Sequence, residues 1–133
     1  MVDRRFRAPL VLLSRWLGEE APLYLYRFAW RPDDGAVGAF HGAEIPFLFD
    51  THGGIFWDRT PTVDTLTDRV QSAWARFAAV GVPGDSGLPP WTPAGASASA
   101  MVLGEAPAVR PLPRLEQLRR FADGIEADLP DGS

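Results

Sequence analysis

Gly38-Ala39-Phe40-His41-Gly42-Ala43-Glu44-Ile45-Pro46-Phe47-Leu48-Phe49 decides how this chain is read, together with the run before it, Leu23-Tyr24-Leu25-Tyr26-Arg27-Phe28-Ala29-Trp30. The earlier run is aromatic or aliphatic at nearly every position, so alternation does not set one polar face against one apolar face. That is the pattern of a strand covered on both faces, as in an α/β sheet. Arg31-Pro32-Asp33-Asp34-Gly35 then makes a turn, with Asp33 and Asp34 as turn residues, and the chain stays glycine-rich to Gly42. Open α/β sheets place their chemistry in loops beyond the carboxyl ends of their strands. His41 lies in such a loop. The expected fold class is therefore α/β, with His41 either a candidate site residue or a loop histidine hydrogen-bonded to backbone.

The remaining segments read as helices and connections. Residues 6 to 17 form a helix with Pro9 in its first turn and an apolar stripe of Leu10, Leu13, Trp16 and Leu17. Residues 43 to 49 begin a short helix whose length Pro46 limits, and residues 51 to 62 are loop. Thr65 with Asp68 three residues later opens a second long helix in the manner of a capping box. Its face is Leu66, Val70, Ala73, Trp74 and Phe77, and Gly81 stops it. Residues 82 to 99, rich in Gly, Pro, Ala and Ser, are a surface excursion. A short strand at 100–103 and a helix at 114–127, buried through Leu115, Leu118, Phe121, Ala122 and Ile125, complete the inventory. One strand buried on both faces needs neighbours to pair its backbone, and only one other weak strand is available. The helices therefore imply a sheet that lies largely elsewhere.

Composition excludes several function classes. The 133 residues, 46% of them hydrophobic, suit at most one ordinary globular domain. Arginine or proline interrupts each apolar run well short of the roughly 20 residues that a spanning helix needs. A net charge of −4 gives no footprint for nucleic acid or an anionic membrane. There is no cysteine, so neither disulfides nor thiolate metal sites are open to it. With His41 and His52 the only histidines, no zinc ligand set is found, and no cofactor is implied. Localisation stays open.

Taken in order, these segments resemble the type B carboxylesterases, the family of para-nitrobenzyl esterases and cholinesterases. Asp3-Arg4-Arg5-Phe6-Arg7-Ala8-Pro9 resembles the approach to the helix before the last strands of the sheet. Tyr24-Leu25-Tyr26-Arg27-Phe28 resembles the strand leading to the catalytic histidine, and Gly38 to Phe49 the histidine loop itself. Ala73-Trp74-Ala75-Arg76-Phe77-Ala78, Gly81-Val82-Pro83 and Leu88-Pro89-Pro90-Trp91 resemble the helix and tryptophan loop that follow. Met101-Val102-Leu103-Gly104 and the closing helix resemble the final strand and helix. The resemblance implies that residues 1–133 are the C-terminal part of a type B carboxylesterase domain of α/β-hydrolase fold. It makes His41 the triad histidine, the base that takes a serine proton and returns it to the leaving alcohol.

The triad of this fold runs in chain order serine, acid, histidine. With the histidine at position 41, the nucleophile, the acid and the oxyanion donors are expected upstream of Met1, and no Gly-x-Ser-x-Gly occurs in the chain. The implied partner is the missing N-terminal esterase portion, and the implied substrate of the whole is a small carboxylic ester. Glu44 is expected to order the loop or cap the following turn rather than to act as the acid. His52 is expected in solvated loop, and Asp50 replaces a glycine common in the family. Gly84-Asp85-Ser86-Gly87 is similar to the nucleophile turn of chymotrypsin-like proteases, but those are all-β and this chain has three helical patterns. A non-catalytic cholinesterase-like binding module and a truncated gene product are the alternative readings.

Overall fold

The computed structural model describes residues 3–17, 20–31, 39–53, 58–84 and 87–129. The helical elements are α1 (Ala8–Leu17), α2 (Ile45–Phe49), α3 (Pro61–Val80) and α4 (Leu115–Ala127). The strands are β1 (Leu25–Phe28), β2 (Ser99–Leu103) and β3 (Ala108–Pro111), forming one sheet in the order β1-β2-β3. Ala94 N–H donates to the Leu23 carbonyl before the β1–β2 pair, and Ala29 N–H donates to the Leu103 carbonyl beyond it. The two strands thus advance together, as parallel neighbours do. Residues 104–107 are too short for a crossover, so β2 and β3 pair antiparallel. β1 is an edge strand of this mixed sheet, half-buried over Arg27 and Phe28 with Tyr26 exposed, rather than covered on both faces.

The chain divides into two compact units. The first comprises Met1–Leu25, Pro93–Ala100 and Arg110–Ser133. Its core joins Val11 and Leu12 of α1 to Leu118 and Ala122 of α4, over Leu25, Ala94, Ala100 and Leu112. Each large aliphatic side chain buried there is worth about 1.5–3 kcal/mol. Charges fasten the two helices. Arg15 bridges Asp123 at 2.7 Å, and the Trp16 indole N–H donates to Glu126 at 2.9 Å. Asp3, nearly buried, is bracketed by Arg7 at 2.9 Å and Arg114 at 2.8 Å.

Helix α1 differs from its expected form in two ways. A π-helical turn over Asp3–Arg7 precedes it, and the buried residues are Ala8, Val11, Leu12 and Ser14. Of the expected stripe, Trp16 is 54% and Leu13 39% exposed, whereas Leu10 and Leu17 are partly buried and Leu10 packs against the core. Pro9-Leu10-Val11-Leu12-Leu13 is continuously apolar, so periodicity alone could not choose between faces. At the other end of the unit, Arg114 takes φ 59° and lies outside α4.

The second unit comprises Tyr26–Thr92 and Met101–Val109, and in it α2 packs on α3. Pro46 occupies the first turn of α2, where its missing N–H costs nothing. The N-cap of α3 is Thr60, whose hydroxyl accepts from Val63 N–H at 3.2 Å, with Pro61 as the first helical residue. The Thr65–Asp68 start therefore lies inside the helix, with the Thr65 hydroxyl donating to the Pro61 carbonyl at 2.8 Å. Gly81 closes α3 at φ 75°, its N–H donating to the Phe77 carbonyl at 2.8 Å, a left-handed cap that glycine alone adopts without strain.

The buried face of α3 is Val63, Leu66, Thr67, Val70 and Ala73, whereas Phe77 is exposed. The excursion after Gly81 turns inward at Trp91, Ala94 and Ala98, which are buried. The expected turn at 31–35 lies outside the described residues after Arg31. Asp85 and Ser86 of the protease-like tetrapeptide lie outside them too.

The two candidate caps of α3 give a direct test. Thr60→Ala should lower unfolding free energy by about 1 kcal/mol, the usual worth of an N-cap hydroxyl. Thr65→Ala should change it by less than about 0.5 kcal/mol, as at an exposed helix interior. Urea unfolding of both variants measures the difference, and equal losses would return the cap to Thr65.

Candidate functional site

His41 begins the turn at 41–44 that leads into α2, and its side chain is exposed. The turn is held by Ala43 N–H donating to the Phe40 carbonyl and Ile45 N–H to the Gly42 carbonyl, each at 3.1 Å. Gly42 sits at φ +82°, and a Cβ there would lie 3.4 Å from Ile45 Cδ1. The positive φ favours glycine, whereas the contact with Ile45 is an ordinary one. Below the turn, Phe47 is fully buried, with ring centroids 5.0 Å from Phe28 and 5.3 Å from Trp30. The aromatic residues of the β1 run thus grip α2 and fix where the turn stands.

Glu44 does not reach toward His41 as an acid partner; it accepts a long bond from the Tyr26 hydroxyl at 3.4 Å. Tyr26 packs edge-on against Trp74 at 5.0 Å, and Trp74 in turn against Trp91 at 6.1 Å. Burial, and then the negative charge and hydrogen bond of Glu44, push the Tyr26 phenol above its usual range. Glu44 therefore ties the turn to β1, the loop-ordering role expected of it. Among the described residues, no hydrogen-bond partner reaches the His41 ring.

His52 is not in solvated loop. It is partly buried, its ring edge-on to Phe47 at 4.7 Å and its Nε2 2.8 Å from the Thr67 hydroxyl oxygen. Composition could not show this, because the contact spans from the loop to the buried face of α3. Asp50, between the two histidines, adopts the left-handed conformation at φ 52° and ψ 41°. Such a residue is ordinarily glycine, and aspartate is among the few others that tolerate it. Arg59 bridges Asp50 and Asp64. A cavity of about 460 Å³ lies apart from His41, lined by residues including Thr62, Thr65, Arg69 and Glu105.

The family model described as the carboxylesterase family matches residues 1–119. The para-nitrobenzyl esterase of Bacillus subtilis (strain 168) is 35% identical over 88 residues, covering 62% of this chain and 18% of that protein. The acylcarnitine hydrolase of Rattus norvegicus is 34% identical over 101 residues, covering 68% of this chain and 18% of that protein. Among solved structures, a thermophilic PNB esterase superposes with a TM-score of 0.68 at 28% identity, covering 76% of this chain and 22% of that one. The chain thus spans about 18% of the length of the curated relatives it matches.

The Tyr26–Glu44 bond can be read by titration. In a Tyr24→Phe background, Tyr26 should titrate above the ordinary value of about 10. Glu44→Gln should lower it only in part, because burial is the larger cause. The fold favours the neutral phenol, so its contribution to stability is complete below about pH 10 and is lost as pH rises beyond that. A Tyr26 midpoint unmoved by Glu44→Gln would remove the bond from the account of the turn.

Proposed function

This chain belongs to the carboxylesterase family, and on that premise we propose that it is the C-terminal part of a serine carboxylesterase, with His41 as the general base. Its helices and mixed sheet are a segment of the α/β-hydrolase fold. The observation that carries the proposal is the placement of His41, exposed on a glycine turn beyond the parallel strand β1 and inside the family-matched segment. A general base must reach both a nucleophile and a leaving group, which an exposed imidazole with a near-neutral reference pKa suits. Family membership alone does not assign chemistry, because one fold hosts many functions.

In the proposed assembly, a serine from the N-terminal portion attacks the carbonyl of a small carboxylic ester. His41 takes the hydroxyl proton, then donates it to the departing alcohol; water, activated in the same way, releases the acid. The orienting acid and the oxyanion donors belong to the N-terminal portion. This chain supplies the base and the elements that hold it: the Gly42 turn, the Glu44–Tyr26 tie and the buried Phe47. The cavity beside Arg69 has no part in the scheme.

Alone, the chain should show no saturable hydrolysis of para-nitrophenyl butyrate and no stoichiometric labelling by a fluorophosphonate, because oxyanion donors alone are commonly worth on the order of 10²–10³ in rate. Co-expression with the N-terminal portion of a family member should restore hydrolysis. In that assembly His41→Ala should lower kcat by on the order of 10⁴–10⁶, and Glu44→Gln by far less. Saturable turnover by the chain alone, or near-full activity of the His41→Ala assembly, would overturn the proposal. An assembly that forms but stays inactive with His41 intact would favour the binding-module reading.

A further inference from the structure

His52 is the titratable group that the proposed mechanism leaves unused, and its surroundings give it a defined protonation state. The Thr67 hydroxyl donates its one proton to the Val63 carbonyl at 2.8 Å. Its oxygen must then accept from His52, 2.8 Å away, so Nε2 carries the imidazole hydrogen. Nδ1 is left with a bare lone pair, buried and without a hydrogen-bond partner among the described residues. A second proton could be added only at Nδ1, where the new N–H would find no acceptor among the described residues. The ring also lies edge-on to the Phe47 ring at 4.7 Å.

The helix that His52 helps to hold cannot hold itself. Residues Ile45–Phe49 make barely more than one turn, far below the length at which helices persist without tertiary contacts. Its carboxyl end is fixed to α3 by the Gln71 side-chain amide donating to the Leu48 carbonyl at 3.2 Å, by His52 on Thr67, and by Arg59 between Asp50 and Asp64. The charged groups that face His52 are Asp50, Arg59 and Asp64. Arg59 pairs with both carboxylates. An imidazole is the side chain whose ordinary value lies between about pH 5 and 8, and His52 is the imidazole of this cluster.

We infer that His52 is an acid-released latch between α2 and α3: neutral, it seals the carboxyl end of α2 against Thr67, and protonated it lets that end part from α3. The His41 turn runs directly into α2, so release of α2 loosens the turn as well. Burial, the largest influence, and Arg59 hold the imidazole below its ordinary value, against the opposing pull of Asp50 and Asp64. The sign follows from linkage. A depressed folded-state value gives a stabilisation that is complete above the unfolded value of about 6.5, and that is lost as pH falls below it. The latch depends on the packing of α2 against α3 and not on esterase chemistry, so either proposal can fail without the other.

Hydrogen–deuterium exchange of the full chain between pH 5 and 8, read by mass spectrometry, tests the latch. Exchange at imidazole Cε1 gives the His41 and His52 midpoints from separate peptides, and backbone protection factors follow α2 and α3 in the same samples. The expected result is a His52 midpoint below about 6.5. Protection across residues 45–53 should fall below that pH, by about tenfold for each unit that separates the folded from the unfolded value. His52→Gln keeps a donor for Thr67 but takes no charge, so its protection should stay level over the same range. An ordinary His52 midpoint, level protection in the wild type, or equal acid loss in His52→Gln would each overturn the latch. Should His52→Gln fail to fold, the wild-type midpoint and protection profile decide alone.

Discussion

The burial of Phe47 is the constraint on which the rest of the second unit depends. Helix α2 is too short to be stable by its own hydrogen bonds, and it exists where it does because one ring is taken wholly out of water. Burying that side chain is worth about 1.5–3 kcal/mol. Its tilted and edge contacts with Phe28, Trp30 and His52 add about 0.5–1.5 kcal/mol for a well-made aromatic pair. Strand, helix and histidine loop are thereby joined at a single side chain. His41 stands at the amino side of that anchor and His52 at the carboxyl side, so both inherit their positions from it.

The surface left uncovered has a physical pattern. Phe6 and Phe49 are each 65% exposed, and Trp16 is more than half exposed. Helix α1 carries apolar residues on two sides and buries only one, whereas a helix apolar all round is ordinarily enclosed. β1 lies at the edge of its sheet, and edge strands in finished folds are usually short, charged or covered. In a chain that spans about 18% of its relatives' length, such surfaces fit the proposed docking of a larger portion.

What the sequence made legible follows from how local each determinant is. The His41 turn could be read because Gly42 answers a steric demand within the turn itself. Gly81 as a stop was legible for the same reason. The cap of α3 was not, because Thr65 has an acid three residues on and Thr60 has only Val63, whose backbone N–H makes the cap; Pro61 decides between them only once its place as first helical residue is recognised. The buried side of α1 depends on α4, about a hundred residues away. β3 was missed because Ala108-Val109-Arg110-Pro111 lies among prolines and is a strand only through pairing with β2. Proline at its last residue is what an edge strand permits. The place of Asp50 became intelligible only with its φ, since an aspartate standing where the family commonly has glycine looks arbitrary until Arg59 is seen beside it.

The two histidines show why residue type alone could not assign roles. Both are imidazoles on polar, glycine-containing loops within a few residues of the same short helix. Solvent contact and the hydrogen-bond partner separate them. His41 is exposed and open to groups beyond this chain. His52 has one nitrogen bonded to Thr67 and the other buried without a partner among the described residues, and burial shifts it toward the neutral form. A proton shuttle requires the first condition, and a packed strut requires the second.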